Sequence, residues 1–200
     1  GGKQGTQVSR AVGKSVSLQQ LNGASREEFV SALRPLFNNE TWPLELAWES
    51  RPFGDVNELR AAIQVAVLTA DDSRRAALIH DYPAMDELLL ADADEAATIS
   101  ADRGSLGLTD LDDVQTERIT ELSAAYRERF DMPFVAYLDT NDTVDRVIDA
   151  GVRRLANSPE QEYRTALGEI VEIANDRFDI LLADANPVRS SWDRKFTEVD

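Results

Sequence analysis

Only one side chain in this sequence has a reference pKa suited to proton transfer near neutral pH. It is His80, in the stretch Ala77-Leu78-Ile79-His80-Asp81-Tyr82-Pro83-Ala84-Met85. An imidazole, with its reference pKa of about 6.5, can take or give a proton there. Tyr82, two residues on, is a different tool. With a reference pKa of about 10, its phenol donates a hydrogen bond readily but is a poor base. The rest of the chemistry is bounded by absence. Cysteine does not occur, which removes disulfides, thiolate nucleophiles and cysteine metal sites. A lone histidine argues against a His-based zinc or iron centre. No G-x-S-x-G supports a Ser-His-Asp triad, and there is neither a P-loop nor a G-x-G-x-x-G. The acidic runs Asp92 to Glu95 and Asp110 to Asp113 read as solvated faces and helix caps, because their spacing does not match an EF-hand loop. No metal and no cofactor is expected.

Charge narrows the partners. The formal net charge is −16, from 37 acidic against 21 basic residues. A phosphate backbone or an anionic membrane surface would be repelled, so neither nucleic acid nor membrane is an expected partner. No apolar run reaches the roughly 18 residues of a membrane span. No apolar h-region stands at the N-terminal end, and the default expectation is the cytoplasm. A hydrophobic fraction of 42% over 200 residues suits one domain with a real core.

The elements that must position any site read as helices throughout. Residues 1–16 are polar and aperiodic and read as a disordered tail. Residues 17–184 read as the helical domain and 185–200 as a C-terminal tail, in which Trp192 and Phe196 stand at i, i+4. Ser25-Arg26-Glu27-Glu28 is a capping box that opens a helix toward Phe37. A short helix follows from Trp42 to Ser50. Asp55 caps the next, with Leu59, Ala62, Ile63 and Ala66 on one face. Asp72 or Ser73 opens a helix that stops before Pro83. Asp86 begins another turn or two, and Gly104 and Gly107 break the stretch beyond. Thr109 or Asp110 starts a long helix with Ile119, Leu122 and Tyr126 in its stripe, ended by Asp131-Met132-Pro133. Phe134 to Leu138 is an apolar run, either a strand or a buried extended segment. Asn141 or Asp142 caps a helix lined by Val144, Val147, Ile148, Gly151 and Leu155. Ser158-Pro159 starts the last one, with Pro at its first position and Tyr163, Leu167, Ile170, Ala174 and Leu181 as its buried stripe. The expected class is all-α, an irregular multi-helix bundle.

Several pieces, in order, resemble one family. They are "LNGASREEFVSALRPLF", the W-x5-W-x2-RPF spacing of Trp42, Trp48 and Arg51 to Phe53, "AALIHDYP", "ELSAAYRERFDMPFV", and "RRLANS" before the last helix. From about Leu18 to Leu182 the chain resembles the 2-oxo-4-hydroxy-4-carboxy-5-ureidoimidazoline (OHCU) decarboxylases. The resemblance implies a cofactor-free, all-helical, homodimeric lyase of urate breakdown acting on a small molecule. It also implies four anchor positions. The family has a catalytic His immediately before Pro; here Tyr82 precedes Pro83. Its S-x-x-E-Q motif, counted back from Gly107-Leu108, puts Asp102 at the Glu, Arg103 at the Gln, and Ile99 at the Ser with Ser100 beside it. Its F-P-F-I segment is kept as Met132-Pro133-Phe134-Val135. Its following Arg falls on Asp139.

A decarboxylase without a cofactor must hold the departing carboxylate, stabilise the developing oxyanion, and return a proton to carbon. On the implied positions, Tyr82, Asp102 and Arg103 are the catalytic candidates. Pro83, Ser100, Phe134, Val135 and Asp139 are the substrate-binding ones. Arg103 is a natural fork for a carboxylate. Asp102 is one methylene shorter than Glu. Asp139 inverts a charge and can pair with Arg103. The bland readings stand beside these: Tyr82 as packing at a helix end, Asp102 as a cap, Arg103 as a solvated side chain. His80 lies about 200° round a helix from Tyr82, so it is expected to be a surface or packed histidine that points away from Tyr82. Trp42, Trp48, Phe53 and Phe130 read as core, while Phe134 lines the implied pocket. The expectation is a lyase retuned to another small polar or heterocyclic substrate. The alternatives are a non-catalytic binding dimer, or the original reaction with His80 as the base.

Overall fold

The computed structural model describes residues 15–38, 40–90, 111–138 and 142–183. Among them the regular structure is helical, and the one non-helical pairing is an isolated parallel bridge between Val16 and Leu182. The all-α expectation holds. Expectations for residues 1–14 and 185–200, for Gly104 and Gly107 and for the Trp192 and Phe196 pair lie outside the described residues, while Val16, at the end of the expected N-terminal tail, is held in that bridge. The chain divides into two compact units: residues 1–71 with 174–200, and residues 72–173.

The first unit holds α1 (Leu18–Asn22), α2 (Arg26–Leu33) with a 3-10 turn at Arg34–Leu36, α3 (Trp42–Trp48) and α4 (Val56–Thr69). Its start is set by local hydrogen bonds. Ser17 and Ser25 each form a complete capping box, with Gln20 and Glu28, which satisfies N–H groups that a helix start otherwise leaves orphaned. Asp55 caps α4 through the Glu58 N–H at 2.8 Å. The short α1 escapes periodicity because five residues are too few to show a stripe.

Residues of the Trp/RPF spacing bind this unit together. The Arg51 guanidinium donates to the carbonyls of Asn22 (3.0 Å), Ala24 (2.7 Å) and Trp48 (3.0 Å), and lies 4.2 Å over the Trp48 ring. The Asn22 side chain pairs with both backbone groups of Phe53, accepting at 2.8 Å and donating at 3.0 Å. Phe53 is buried and Trp48 and Trp42 are half-buried. The spacing therefore serves architecture, as expected of the core.

The second unit holds α5 (Asp72–His80), α6 (Met85–Leu90), α7 (Asp113–Phe130), α8 (Val144–Arg154) and the N-terminal part of α9 (Pro159–Leu181). From Ala174 onward α9 belongs to the first unit. Asp112 opens α7 with a capping box to Gln115, and Asp131 closes it in the left-handed conformation, its N–H on the Arg127 carbonyl at 2.8 Å. Thr143, rather than Asn141 or Asp142, caps α8. Ile119, Leu122, Tyr126, Val147, Ile148, Leu167 and Ile170 are buried, as their 3.6-residue spacing predicts.

Three stripe assignments need correction, the first being Ala62, which is only half-buried on α4. Leu155 is half-exposed because it is the C-cap of α8. Tyr163 is also half-exposed, its hydroxyl donating to the Asp72 carbonyl at 3.3 Å. Its neighbour Glu162 is buried in its place, fully withdrawn from solvent. A pattern of apolar residues cannot find a buried carboxylate, since burial there depends on partners from elsewhere in the chain.

Candidate active site

The site is framed by a turn and an extended segment in the second unit. α5 ends at His80, and the chain turns through Asp81 and Tyr82 to Pro83, which cannot continue a helix. His80 is exposed on the last turn of α5. Tyr82 and Pro83 are half-buried, while Ala84 and Met85 are buried. The Met85 N–H, one of the orphan donors at the start of α6, reaches the Phe134 carbonyl at 2.8 Å. That bond joins two of the four implied anchors, the Tyr82-Pro83 turn and the Met132-Pro133-Phe134-Val135 segment. Met132 through Leu138 contains no helix or strand. Of the two readings of the apolar run, the buried extended segment is the one observed.

Phe134 and Val135 are buried. The Phe134 ring is taken up by protein. It packs 5.4 Å from the Tyr126 ring and lies 4.9 Å under the Arg154 guanidinium. It also fills the space left by Gly151, where a Cβ would come within 2.8 Å of the ring edge and 2.4 Å of Leu122. This side chain belongs to the core of its unit. Asp102, Arg103, Ser100, Ile99 and Asp139 lie outside the described residues.

A polar cluster beside the segment was not anticipated. Arg154, on the last turn of α8, donates from Nε to Glu162 Oε2 at 3.0 Å and from Nη1 to the Val135 carbonyl at 2.8 Å. The Asn157 amide donates to Glu162 Oε1 at 2.9 Å, and the Tyr126 hydroxyl makes a short hydrogen bond to Glu162 Oε2. Burial, and then the bond to Glu162, push the Tyr126 phenol above its ordinary range. The "RRLANS" stretch contains Arg154 and Asn157, so the signal was present. Its role was hidden because the partner, Glu162, sits on a face that reads as polar.

A second carboxylate touches the segment. Glu169 Oε1 accepts the Tyr137 N–H at 3.3 Å. Burial holds the Glu169 carboxyl above its usual range, partly offset by that backbone bond and by the nearby Arg154 charge. A carboxyl raised in this way can carry a proton closer to neutral pH than an exposed one. Among the described residues, no group of three or more His, Asp or Glu side chains is arranged to hold a metal ion. Among the same residues, no helix is long and apolar enough to cross a membrane.

A small helical scaffold with a proline-ended turn tied to a buried extended segment is the class defined so far. Comparison with known proteins names the family. The OHCU decarboxylase family description matches residues 22–179. A 2-oxo-4-hydroxy-4-carboxy-5-ureidoimidazoline decarboxylase of Haloferax volcanii is 37% identical over 164 residues, covering 81% of this chain and 94% of that protein. One from Mus musculus is 32% identical over 181 residues, covering 87% and 98%. The crystal structure of an (S)-allantoin synthase aligns with a TM-score of 0.63 at 22% identity. That alignment covers 83% of this chain and 54% of that one, so the chain spans about half the length of that protein. The chain therefore belongs to the OHCU decarboxylase family.

Proposed function

We propose that this protein is a carbon–carbon lyase that decarboxylates the ureidoimidazoline substrate named for its relatives, or a close heterocyclic analogue. The observation that carries this reading is the likeness to a Haloferax volcanii OHCU decarboxylase across 94% of its length. The Met85 to Phe134 bond adds support, since it joins two of the implied anchors in one unit. In the reaction, the bond from the ring carbon to the carboxylate breaks and CO2 leaves. The electron pair passes into the ring as an enolate-like anion, the carbon that lost CO2 keeping its oxygen, and a proton then adds to the neighbouring ring carbon that bears the ureido group. Arg103 would hold the carboxylate and Asp102 would orient a substrate N–H. Tyr82 would donate a hydrogen bond to the developing oxyanion, a task that suits a phenol better than proton abstraction does. The family's assembly into homodimers is proposed for this chain on the same basis.

The test generates the substrate in situ from urate, adds the protein, and follows chiral allantoin by circular dichroism. Faster appearance of one enantiomer supports the reading, and a rate equal to the protein-free control overturns it for this substrate. A second reading is favoured by one observation. Tyr82 stands before Pro83 where the family resemblance implies His, so the pocket is retuned for a different small polar substrate. Tyr82→His separates the two: a large gain on the ureidoimidazoline supports retuning, and a loss supports a native role for the phenol.

A further inference from the structure

We propose that Arg154 is a positioning residue for the candidate site: anchored on Glu162, its guanidinium fixes the Val135 carbonyl and so sets the backbone that faces the substrate. The inference rests on the reading that the Met132 to Leu138 segment lines the site. The geometry separates two jobs within one side chain. Nε and Nη2 hold Glu162 at 3.0 Å each, while Nη1 points away to the Val135 oxygen at 2.8 Å. Glu162 is itself fixed by Tyr126 and Asn157, so the fork cannot swing without breaking a buried carboxylate's bonds.

The same segment is held on either side of Val135. Met85 grips the Phe134 carbonyl and Glu169 the Tyr137 N–H. Gly151, one helical turn before Arg154, lets the Phe134 ring sit against α8, and the guanidinium then covers that ring. Three successive stretches of backbone are therefore clamped from three different helices. A network of this kind, fully satisfied, selects one conformation of the segment. Among the described residues no strand pairs with this extended backbone to set its register, and the clamps supply that constraint.

The test compares variants that share the cluster but differ at Val135. Tyr126→Phe removes one bond to Glu162 and leaves the Val135 bond intact. The triple variant Tyr126→Phe/Arg154→Met/Glu162→Leu removes both charges and the phenol together. An apolar replacement of a buried ion pair usually leaves the fold intact. Arg154→Lys keeps the charge beside Glu162 but lacks the planar fork, and it takes the place of the triple variant if that one does not fold. Two quantities are measured on folded protein: hydrogen exchange of the amides from Phe134 to Leu138, and kcat with KM on the ureidoimidazoline made in situ.

The expected result is faster exchange confined to this segment, and a fall in kcat of about tenfold to a hundredfold in the triple variant. Tyr126→Phe is expected to keep kcat within about threefold of wild type. Wild-type exchange across the segment in the folded triple variant overturns the proposal, as does an equal loss of kcat in Tyr126→Phe. If the wild-type protein does not accelerate the reaction, the functional reading fails and the exchange result alone decides the positioning role.

Discussion

Two arginines, one in each unit, show how differently a backbone can be held. Arg51 gathers three neutral carbonyls, those of Asn22, Ala24 and Trp48, and rests on an indole ring. Arg154 holds one carbonyl, that of Val135, and one carboxylate, Glu162, which has no solvent exposure. Losing Arg51 leaves neutral acceptors that water can partly serve. Losing Arg154 leaves a buried charge with no counter-ion. The first arrangement tolerates error and the second does not. The unforgiving one stands beside the segment proposed to meet substrate.

The largest effect should come from Arg154→Ala. Stranding Glu162 is expected to cost about 3–5 kcal/mol in urea unfolding, most of it recovered when Tyr126→Phe and Glu162→Leu are added. Equal losses in the single and combined variants would break the contrast. Gly151→Ala comes next, at about 1–3 kcal/mol, because its Cβ must displace Leu122 and the Phe134 ring. Gly168→Ala in α9 meets nothing within 4 Å and should instead stabilise by about 0.5–1 kcal/mol, so thermal melts of the pair should move in opposite directions.

Alkaline pH sharpens the comparison further. The folded Tyr126 phenol holds its proton more tightly than the unfolded one, whose pKa is 10.0. Above that value the unfolded chain loses the proton first, so stability falls as pH rises, by up to about 1.4 kcal/mol per pH unit until the folded phenol also ionises. Below it the contribution is constant. Tyr126→Phe should flatten this part of the slope in unfolding measured across that range; an unchanged slope would count against a buried, tightly held phenol. Arg51→Ala, by contrast with Arg154→Ala, is expected to cost only about 1–2 kcal/mol by the same urea titration. A cost matching that of Arg154→Ala would remove the distinction between the two arginines.

Much of this architecture was legible because its determinants are local. Ser25 with Glu28, Asp55 with Glu58, and Pro159 after Ser158 announce helix starts by chemistry confined to four residues. Asp131-Met132-Pro133 announces an end in the same way. The stripes on α4, α7 and α8 follow from periodicity, because an apolar face must be buried against something. The cluster around Arg154 was not legible for the opposite reason. Tyr126, Arg154 and Glu162 come from three helices and Asn157 from the turn between α8 and α9, and a buried Glu is indistinguishable from a surface Glu until its partners are placed. At the site, the bond from the Met85 N–H to the Phe134 carbonyl joins residues far apart in the chain, which no local pattern pairs, and the Phe134 ring packs against Tyr126 and Gly151.

The helix from Pro159 to Leu181 has a consequence for biogenesis. Its last two turns and the Val16 to Leu182 bridge complete a unit whose other helices lie before residue 72. Val16 donates to the Leu181 carbonyl at 2.9 Å and accepts from Ala183 at 2.7 Å. On the ribosome, the first four helices emerge about a hundred residues before the strand partner of Val16 is made. Throughout that interval the helices already made wait, their buried faces without their closing helix, for its last two turns to arrive. Translation speed across residues 72–173 therefore sets how long those faces go without it.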